Sequence, residues 1–394
     1  MRIVITMLHY YPDRPSGSTR LAFDEAQYLA QLGHEVWVVT QDLSGSKPEY
    51  SGEDGLHVLR YPTPILGWLS PRRLRIHQQL TRRVLKRYIE GPVNVVHGHS
   101  LLEYDGAISL YPRSRRCYSI HSPVRQETLA SSRDLLWPGR VRAQLVGRLH
   151  HWIEARVLRA SAVITAFSEY TKTQIGQAHH QQLGDRVQVI PGWVDLERFQ
   201  IVADREAAKR QLGWPLDRPV LFTLRRLVPR MGLDNLLHAA RLVKAAGLNF
   251  YLAIGGQGPL RPRLETIIQE LELTDKVHLL GFVPDEALPA MYGAADAFVL
   301  PTTELECFGL PTIESLACGR PVLATPVAAI PEVLSPVEPQ WLAQGNSEQA
   351  IAQLLIAFLK GQLPIHEPQE LRRDVASRYA RELVLPQLTS VVSG

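Results

Sequence analysis

Cysteine is scarce in this chain: three residues in 394, Cys117, Cys307 and Cys318, widely spaced and with no Cys-x-x-Cys pair. That pattern excludes a disulfide framework and a thiolate zinc site, and it makes a reducing cytoplasm the expected home. Long hydrophobic runs are missing too. No stretch reaches the roughly 18–20 apolar residues that a membrane-spanning helix needs. The opening Met1–Leu8 has one basic residue and only a very short apolar run, so it reads as a first buried strand rather than a leader. No period of 20–50 residues repeats, which removes a solenoid. A strong charge of one sign is also lacking, with 43 Lys+Arg against 39 Asp+Glu. That modest balance, with no recognised binding motif, argues against a nucleic-acid partner.

What is present is a globular composition, 45% hydrophobic and 21% charged, on a chain long enough for two domains of roughly 150–200 residues. The small net charge conceals an asymmetry: through Asp195 there are 24 basic and 17 acidic residues, and after it 19 and 22. Short apolar runs alternate with helical spacing throughout. In the first half the runs are Ile3–Leu8, His34–Thr40, Leu56–Tyr61, Val93–His97, Arg116–His121, Ala162–Ala166 and Val187–Pro191. The pattern Leu21, Ala22, Ala26, Leu29 ending at Gly33 predicts a helix over Thr19–Leu32. The second half repeats the rhythm with strands at Val220–Leu224, Phe250–Ile254, Val277–Leu280, Ala297–Leu300 and Pro321–Ala324. Such alternation predicts parallel α/β sheets. The expected division is residues 1–195, residues 196–370, and a terminal helical stretch 371–394 that crosses back to the first domain. Two doubly wound domains would face each other, with ligands beyond the carboxyl ends of the strands, in the cleft between them.

One loop carries most of the chemistry. Glu306-Cys-Phe-Gly-Leu-Pro-Thr-Ile-Glu314 places a flexible Gly309 before a short helix, with Pro311 suited to its first turn and Gly319 to its end. The free N–H groups of that helix favour an anion. Glu306 in the loop and Glu314 in the first turn would accept hydrogen bonds from sugar or ribose hydroxyls. The plainer alternative is a first-turn acid and a solvated loop residue. After the strand Val220–Leu224, Arg225, Arg226 and Arg230 lie where loop cations reach a diphosphate.

These segments resemble the Glu-x7-Glu motif and the Gly-Arg-Leu-x-x-x-Lys-Gly motif of retaining glycosyltransferases with the GT-B fold, in particular glycosyltransferase family 4. The similarity extends through Gly281-Phe-Val-Pro-Asp285, Tyr292–Pro301 and Arg320–Leu334. It implies a GT-B architecture of two Rossmann-like domains, acceptor side first and nucleotide-sugar side second. Glu314 would hold ribose hydroxyls and Glu306 the transferred sugar. Phe308, Gly309 and Leu310 would meet sugar and diphosphate, with Phe282 and Val283 near the base and Arg226 on the leaving diphosphate. Met231 stands at the usual lysine, and Arg230 would supply that charge; the plainer alternative for both Arg225 and Arg230 is a solvated surface. Gly256 in Gly255-Gly-Gln-Gly-Pro259 matches the family's Gly-x-Gly-Pro, and Ala328-Ala329 stand where relatives carry glycines.

In the first half, Tyr11–Thr19 is similar to the family's Gly-Gly loop. Gly17 permits close backbone approach, Ser18 replaces the second glycine, and Ser18 or Thr19 would cap the helix. His97, His99 and His121 lie at or just past strand ends. A metal is not expected, because the strand alternation is taken to turn His97 and His99 to opposite faces and no carboxylate spacing completes a site. The resemblance places His121 near the reacting centre, with Arg125 and Glu127 toward the acceptor; His99 reads as a core residue. Gly192-Trp193 replaces the family's Asn-Gly at the crossing into the second domain, a structural role. Two basic helical patterns, Arg72–Arg87 (with Trp68, Leu69 and Leu74 interleaved) and Arg140–Arg159 (with Trp152), suit either an ordinary core-facing helix or peripheral contact with an anionic membrane.

The expected activity is transfer of a sugar from a UDP-, GDP- or ADP-sugar to a hydroxyl of a glycan, lipid-linked or small-molecule acceptor, in polysaccharide or glycolipid biosynthesis. No cofactor and no metal is expected, in keeping with the absence of Asp-x-Asp. A sugar-nucleotide epimerase of the same fold, or an inactive sugar-nucleotide-binding protein, are the alternatives.

Overall fold

A computed structural model describes the chain except residues 12, 15, 54, 63–69, 131 and 133–135. It resolves into two units, Met1–Pro191 with Val384–Gly394, and Gly192–Leu383.

The first unit is built on an eight-stranded sheet. Its strands are β1 (Arg2–Thr6), β2 (Glu35–Asp42), β3 (Tyr50–Glu53), β4 (Leu56–Pro62), β5 (Val95–Gly98), β6 (Arg115–Ile120), β7 (Val163–Ala166) and β8 (Val187–Val189). They run in the order β3-β4-β2-β1-β5-β6-β7-β8. All pairs are parallel except β3 with β4. The expectation of a purely parallel sheet is corrected at that edge, where Tyr-Ser-Gly-Glu has no apolar run to announce a strand. Ile3, Val4 and Ile5 of β1 are fully buried, each contributing about 1.5–3 kcal/mol by burial. They are covered on both faces, so apolar residues run on without alternation.

The helix after β1 spans Gly17–Gln31, starting two residues earlier than expected. Its cap is Ser16, not Ser18 or Thr19. The Ser16 hydroxyl accepts from the Thr19 backbone N–H, and the Thr19 hydroxyl accepts from the Ser16 N–H in return. The predicted apolar face (Leu21, Ala22, Ala26, Leu29) is buried, and Glu25 is buried with it.

The second unit carries the sheet β11-β10-β9-β12-β13, made of β9 (Val220–Leu224), β10 (Tyr251–Gly255), β11 (Val277–Gly281), β12 (Ala297–Leu300) and β13 (Val322–Ala324). Every pairing in it is parallel. Its loops after the strands therefore gather at one edge. The terminal helical stretch expected over 371–394 is two helices, Pro368–Tyr379 and Arg381–Ser393. They part at Ala380, where Val194 donates to the Tyr379 carbonyl and accepts from the Arg381 N–H. Residues from Val384 onward belong to the first unit, where the Val392 carbonyl accepts from the Cys117 thiol at 3.5 Å.

Candidate active site

Strand order reverses between β9 and β12 in the second unit, and ligands of open α/β sheets bind at such a point. The loops that flank this reversal are joined by side chains. Arg225, at the end of β9, turns inward and donates to the Thr302 hydroxyl at 2.9 Å and to the Glu306 carboxylate. Only 5% of the Arg225 side chain and 15% of the Glu306 side chain remain exposed. The solvated-surface alternative for Arg225 is thereby removed. Consecutive residues leaving a strand point to opposite sides, so one of Arg225 and Arg226 had to face in. It is Arg226 that is exposed.

Arg230 donates from Nη1 to the Leu305 carbonyl at 2.8 Å, and its own carbonyl accepts from the Thr303 N–H at 3.0 Å. It braces the Glu306 loop, whose Leu305 sits at φ 53°. Met231 is buried and apolar, so no cationic side chain stands at that position.

The helix after the loop spans Leu310–Ala317 and begins at Gly309, in the left-handed region, with no side chain capping it. The N–H groups of its first turn remain an anion-favouring end. Because the helix starts at Leu310, Glu314 lies in the second turn rather than the first, a correction of one helical position. Its Oε2 accepts from the Tyr292 hydroxyl at 2.8 Å. Tyr292 is fully buried, and burial followed by the Glu314 charge pushes its phenol well above the usual range.

Gly256 packs against the other side of the β9 loop. A Cβ there would lie 1.8 Å from the Arg225 carbonyl oxygen, at φ +127°. Backbone packing thus requires this glycine whether or not a phosphate comes near. The Val283 side chain lies against Gly255, and Phe282 is exposed. Phe308 is buried, edge-on to Tyr379 with ring centroids 5.5 Å apart, and it crowds Gly192. Ala328 adopts φ 57°, the conformation for which glycine is the natural choice, and Ala329 donates its N–H to the Glu306 carbonyl at 2.9 Å.

In the first unit the strand order reverses between β1 and β5, and the three histidines gather beside that point. His97 Nδ1 lies 2.6 Å from Glu25 Oε1, and His99 Nε2 lies 2.9 Å from Glu25 Oε2. His99 Nδ1 in turn lies 3.0 Å from His121 Nε2. The expectation of opposite faces is corrected: residues two apart on an extended chain share a face. The missing carboxylate comes from Glu25 on the helix Gly17–Gln31. These three groups are close enough to ligate an ion. Their 2.6 and 2.9 Å spacings, however, are those of hydrogen bonds; tetrahedral zinc with bonds near 2.0–2.2 Å holds its ligand atoms roughly 3.3 Å apart. Burial would raise the Glu25 carboxyl, but the two histidines overcome it and bring it down to about 2. Burial, then His97, lowers His99; burial, then His99, puts His121 well below its ordinary value.

Gly17 and Ser18 form the exposed first turn of their helix. Arg125 is exposed, and Glu127 accepts from the Ser122 hydroxyl at 2.6 Å. Glu25 is a residue of these clusters that sequence reasoning passed over, and Arg225 is one whose inward orientation it did not foresee. A signal existed for Glu25: an acid between Leu21 and Leu29, in step with the apolar face. None existed for Arg225.

Of the two basic helices, Pro71–Tyr88 buries His77, Thr81, Val84 and Leu85, an ordinary core-facing helix; Trp68 and Leu69 lie outside the described residues, as does the Leu74 side chain. The helix Trp137–Ala160 differs. Trp137, Leu145 and Trp152 are 77%, 58% and 59% exposed.

Two family descriptions match the chain, Glycosyltransferase Family 4 over residues 15–198 and Glycosyl transferases group 1 over residues 204–382. A protein of Salmonella typhimurium named as a colanic acid biosynthesis glycosyltransferase is 30% identical over 50% of this chain and 49% of its own length. The GDP-mannose-dependent alpha-(1-6)-phosphatidylinositol monomannoside mannosyltransferase of Mycolicibacterium smegmatis is 32% identical over 37% and 38%. The chain thus spans about half or less of these curated relatives. Among solved structures, the sucrose-phosphate synthase of Thermosynechococcus elongatus superposes with a TM-score of 0.82 at 20% identity, over 99% of this chain and 98% of that one. That likeness shows the GT-B fold.

Proposed function

Because this chain belongs to glycosyltransferase family 4, we propose that it transfers a sugar from a nucleotide-sugar donor to an acceptor hydroxyl, with retention of anomeric configuration and without a metal. The Arg225–Glu306 pair carries this reading, because it holds a carboxylate beside the uncapped helix Leu310–Ala317, at the reversal point of the sheet. In the proposed reaction Glu306 accepts hydrogen bonds from hydroxyls of the transferred sugar. Glu314, oriented by Tyr292, meets the ribose. The developing charge on the nucleoside diphosphate is met by Arg226 and by the helix N–H groups, fixed dipoles and charges that need no reorganisation. Arg230 holds the Leu305 carbonyl and so shapes the loop. The relatives reported above are named as transferases, and the epimerase alternative is not carried further.

The test begins with thermal-shift screening of the whole chain against UDP-, GDP- and ADP-sugars, since a ligand of the native state raises the midpoint. Turnover with the stabilising donor is then measured against acceptor pools. Glu306→Gln is expected to lower kcat by about 10²-fold or more, and undiminished transfer by that variant would remove Glu306 from the site.

The acceptor we propose is lipid-linked, reached from a membrane surface. Trp137, Val141, Leu145 and Trp152 fall within an arc of roughly 80° at about 100° per residue, with Arg140, Arg142 and Arg148 exposed beside them. Sedimentation with anionic but not zwitterionic vesicles is the expected result, and equal binding to both rejects the electrostatic part.

A further inference from the structure

Glu25 has no part in the transfer chemistry above, yet both of its oxygens are committed to histidines in a fully buried place. Its charge dictates where protons sit. The carboxylate only accepts, so the nitrogen of His99 that faces it, Nε2, carries the proton. A neutral imidazole has one proton, and His99 Nδ1 is therefore a lone pair. His121 Nε2, 3.0 Å from that lone pair, must be the donor. His97 closes the far side of the network, donating from Nδ1 to Glu25 and lying 2.8 Å from the Ser119 hydroxyl through Nε2. The Ser119 hydroxyl is in turn 2.6 Å from that of Thr165. Burial lowers both His99 and His121, which keeps the neutral forms dominant at pH 7.

The consequence appears at the open end of the chain of bonds. His121 is partly exposed, and among the described residues its Nδ1 has no hydrogen-bond partner. We propose that Glu25, acting through His99, is a positioning residue that holds His121 as the Nε2–H tautomer, so that His121 Nδ1 accepts a hydrogen bond from a sugar hydroxyl. An ionised diphosphate offers no proton and is not recognised by this nitrogen. The identity of the ligand rests on the glycosyl-transfer reading above; the tautomer does not.

The experiment uses the intact chain, labelled with 15N in its histidines, without any sugar. Long-range proton–nitrogen correlations assign each ring nitrogen as protonated or bare, and nitrogen–nitrogen coupling across the hydrogen bond links His121 to His99. The expected result at pH 7 is a shared proton bonded covalently to His121 Nε2 and coupled to His99 Nδ1, with His121 Nδ1 bare. Finding that proton on His99 Nδ1 overturns the proposal in the wild type alone. In Glu25→Ala the one-sided placement is expected to give way to a mixture of both His121 tautomers, and His99→Phe, which removes the acceptor, should give the same mixture. An unchanged, purely Nε2–H His121 in either folded variant overturns the role assigned to Glu25 and His99. No measurement here uses a nucleotide sugar, so a negative result is separable from failure of the transfer assay.

Discussion

In the first unit the acid beside the strand-order reversal, Glu25, is wholly buried and shared by two histidines; in the second, Glu306 keeps 15% of its side chain exposed and is held by one arginine. Both carboxylates are oriented by cationic or proton-donating partners that arrive from distant sequence. The difference lies in what those partners do with pH. A guanidinium stays charged throughout the accessible range, so it fixes Glu306 as a constant element of the loop. A neutral imidazole, the form burial favours at His99 and His121, carries its single proton on either nitrogen, so the first-unit cluster is a proton-ordering device whose geometry depends on which nitrogens are occupied.

The sharpest way to break this comparison separates neighbouring arginines. Arg225→Ala leaves Glu306 without its partner and is expected to cost about 3 kcal/mol of stability, read from the urea midpoint. Arg226→Ala should leave stability within about 0.5 kcal/mol while lowering transfer by about 10²-fold. Equal stability losses in the two variants would show that burial does not distinguish them.

A second prediction separates the units by acid. Burial, followed by Arg14, lowers His9 to about 4, and burial lowers His150 to about 4. His99 and His121 also lie below 6.5. For each, the unfolded chain binds more protons below pH 6.5, so this stability is fully present above that value and is lost as pH falls toward 4. Glu25 acts in the same direction, its contribution present above 4.5 and lost toward about 2. In the second unit His278 is the histidine with such a shift among the described residues. Hydrogen exchange at pH 5 against pH 7.5 should therefore show protection falling first in Met1–Pro191. Parallel loss in both units would contradict the assignment.

The smallest effect tests backbone strain in the second unit. Ala328 at φ 57° occupies a conformation that costs an L-residue about 1–2 kcal/mol, part of which glycine gives back through its own entropy. Ala328→Gly is expected to raise stability by about 0.5–1 kcal/mol, visible as a higher thermal midpoint. A lower midpoint would mean that the methyl group packs better than the strain costs.

Much of the fold was legible in the sequence. Val220–Leu224 and Ala297–Leu300 were read to the residue, because strands buried on both faces leave uninterrupted apolar runs bounded by loop residues. The antiparallel β3 was not, since Tyr50–Glu53 has neither an apolar run nor alternation. The break at Ala380 was also hidden. The helical spacing continues across it, and what interrupts it is Val194, far away in sequence. Within the candidate site, the short helix after Gly309, with Glu306 in the loop before it, was legible from the spacing, while the roles expected of Glu306 and Glu314 came from the resemblance. Arg225 was not legible, because two adjacent arginines are equivalent until the loop's exit direction is known.

What the sequence by itself determined is the order of strands and helices, the glycine-marked turns, and the loops in which charged residues stand. These are local properties, set by backbone propensity and by the period of apolar residues. The tertiary structure alone decided which charges are paired. Glu25 meets His97 across 72 residues and Arg225 meets Glu306 across 81. Only the juxtaposition of β1 with β5, and of β9 with β12, brings those partners within hydrogen-bonding distance. The direction in which His121 holds its proton follows from that packing, since a tautomer is set by the neighbour a nitrogen faces and not by the residues beside it in the chain.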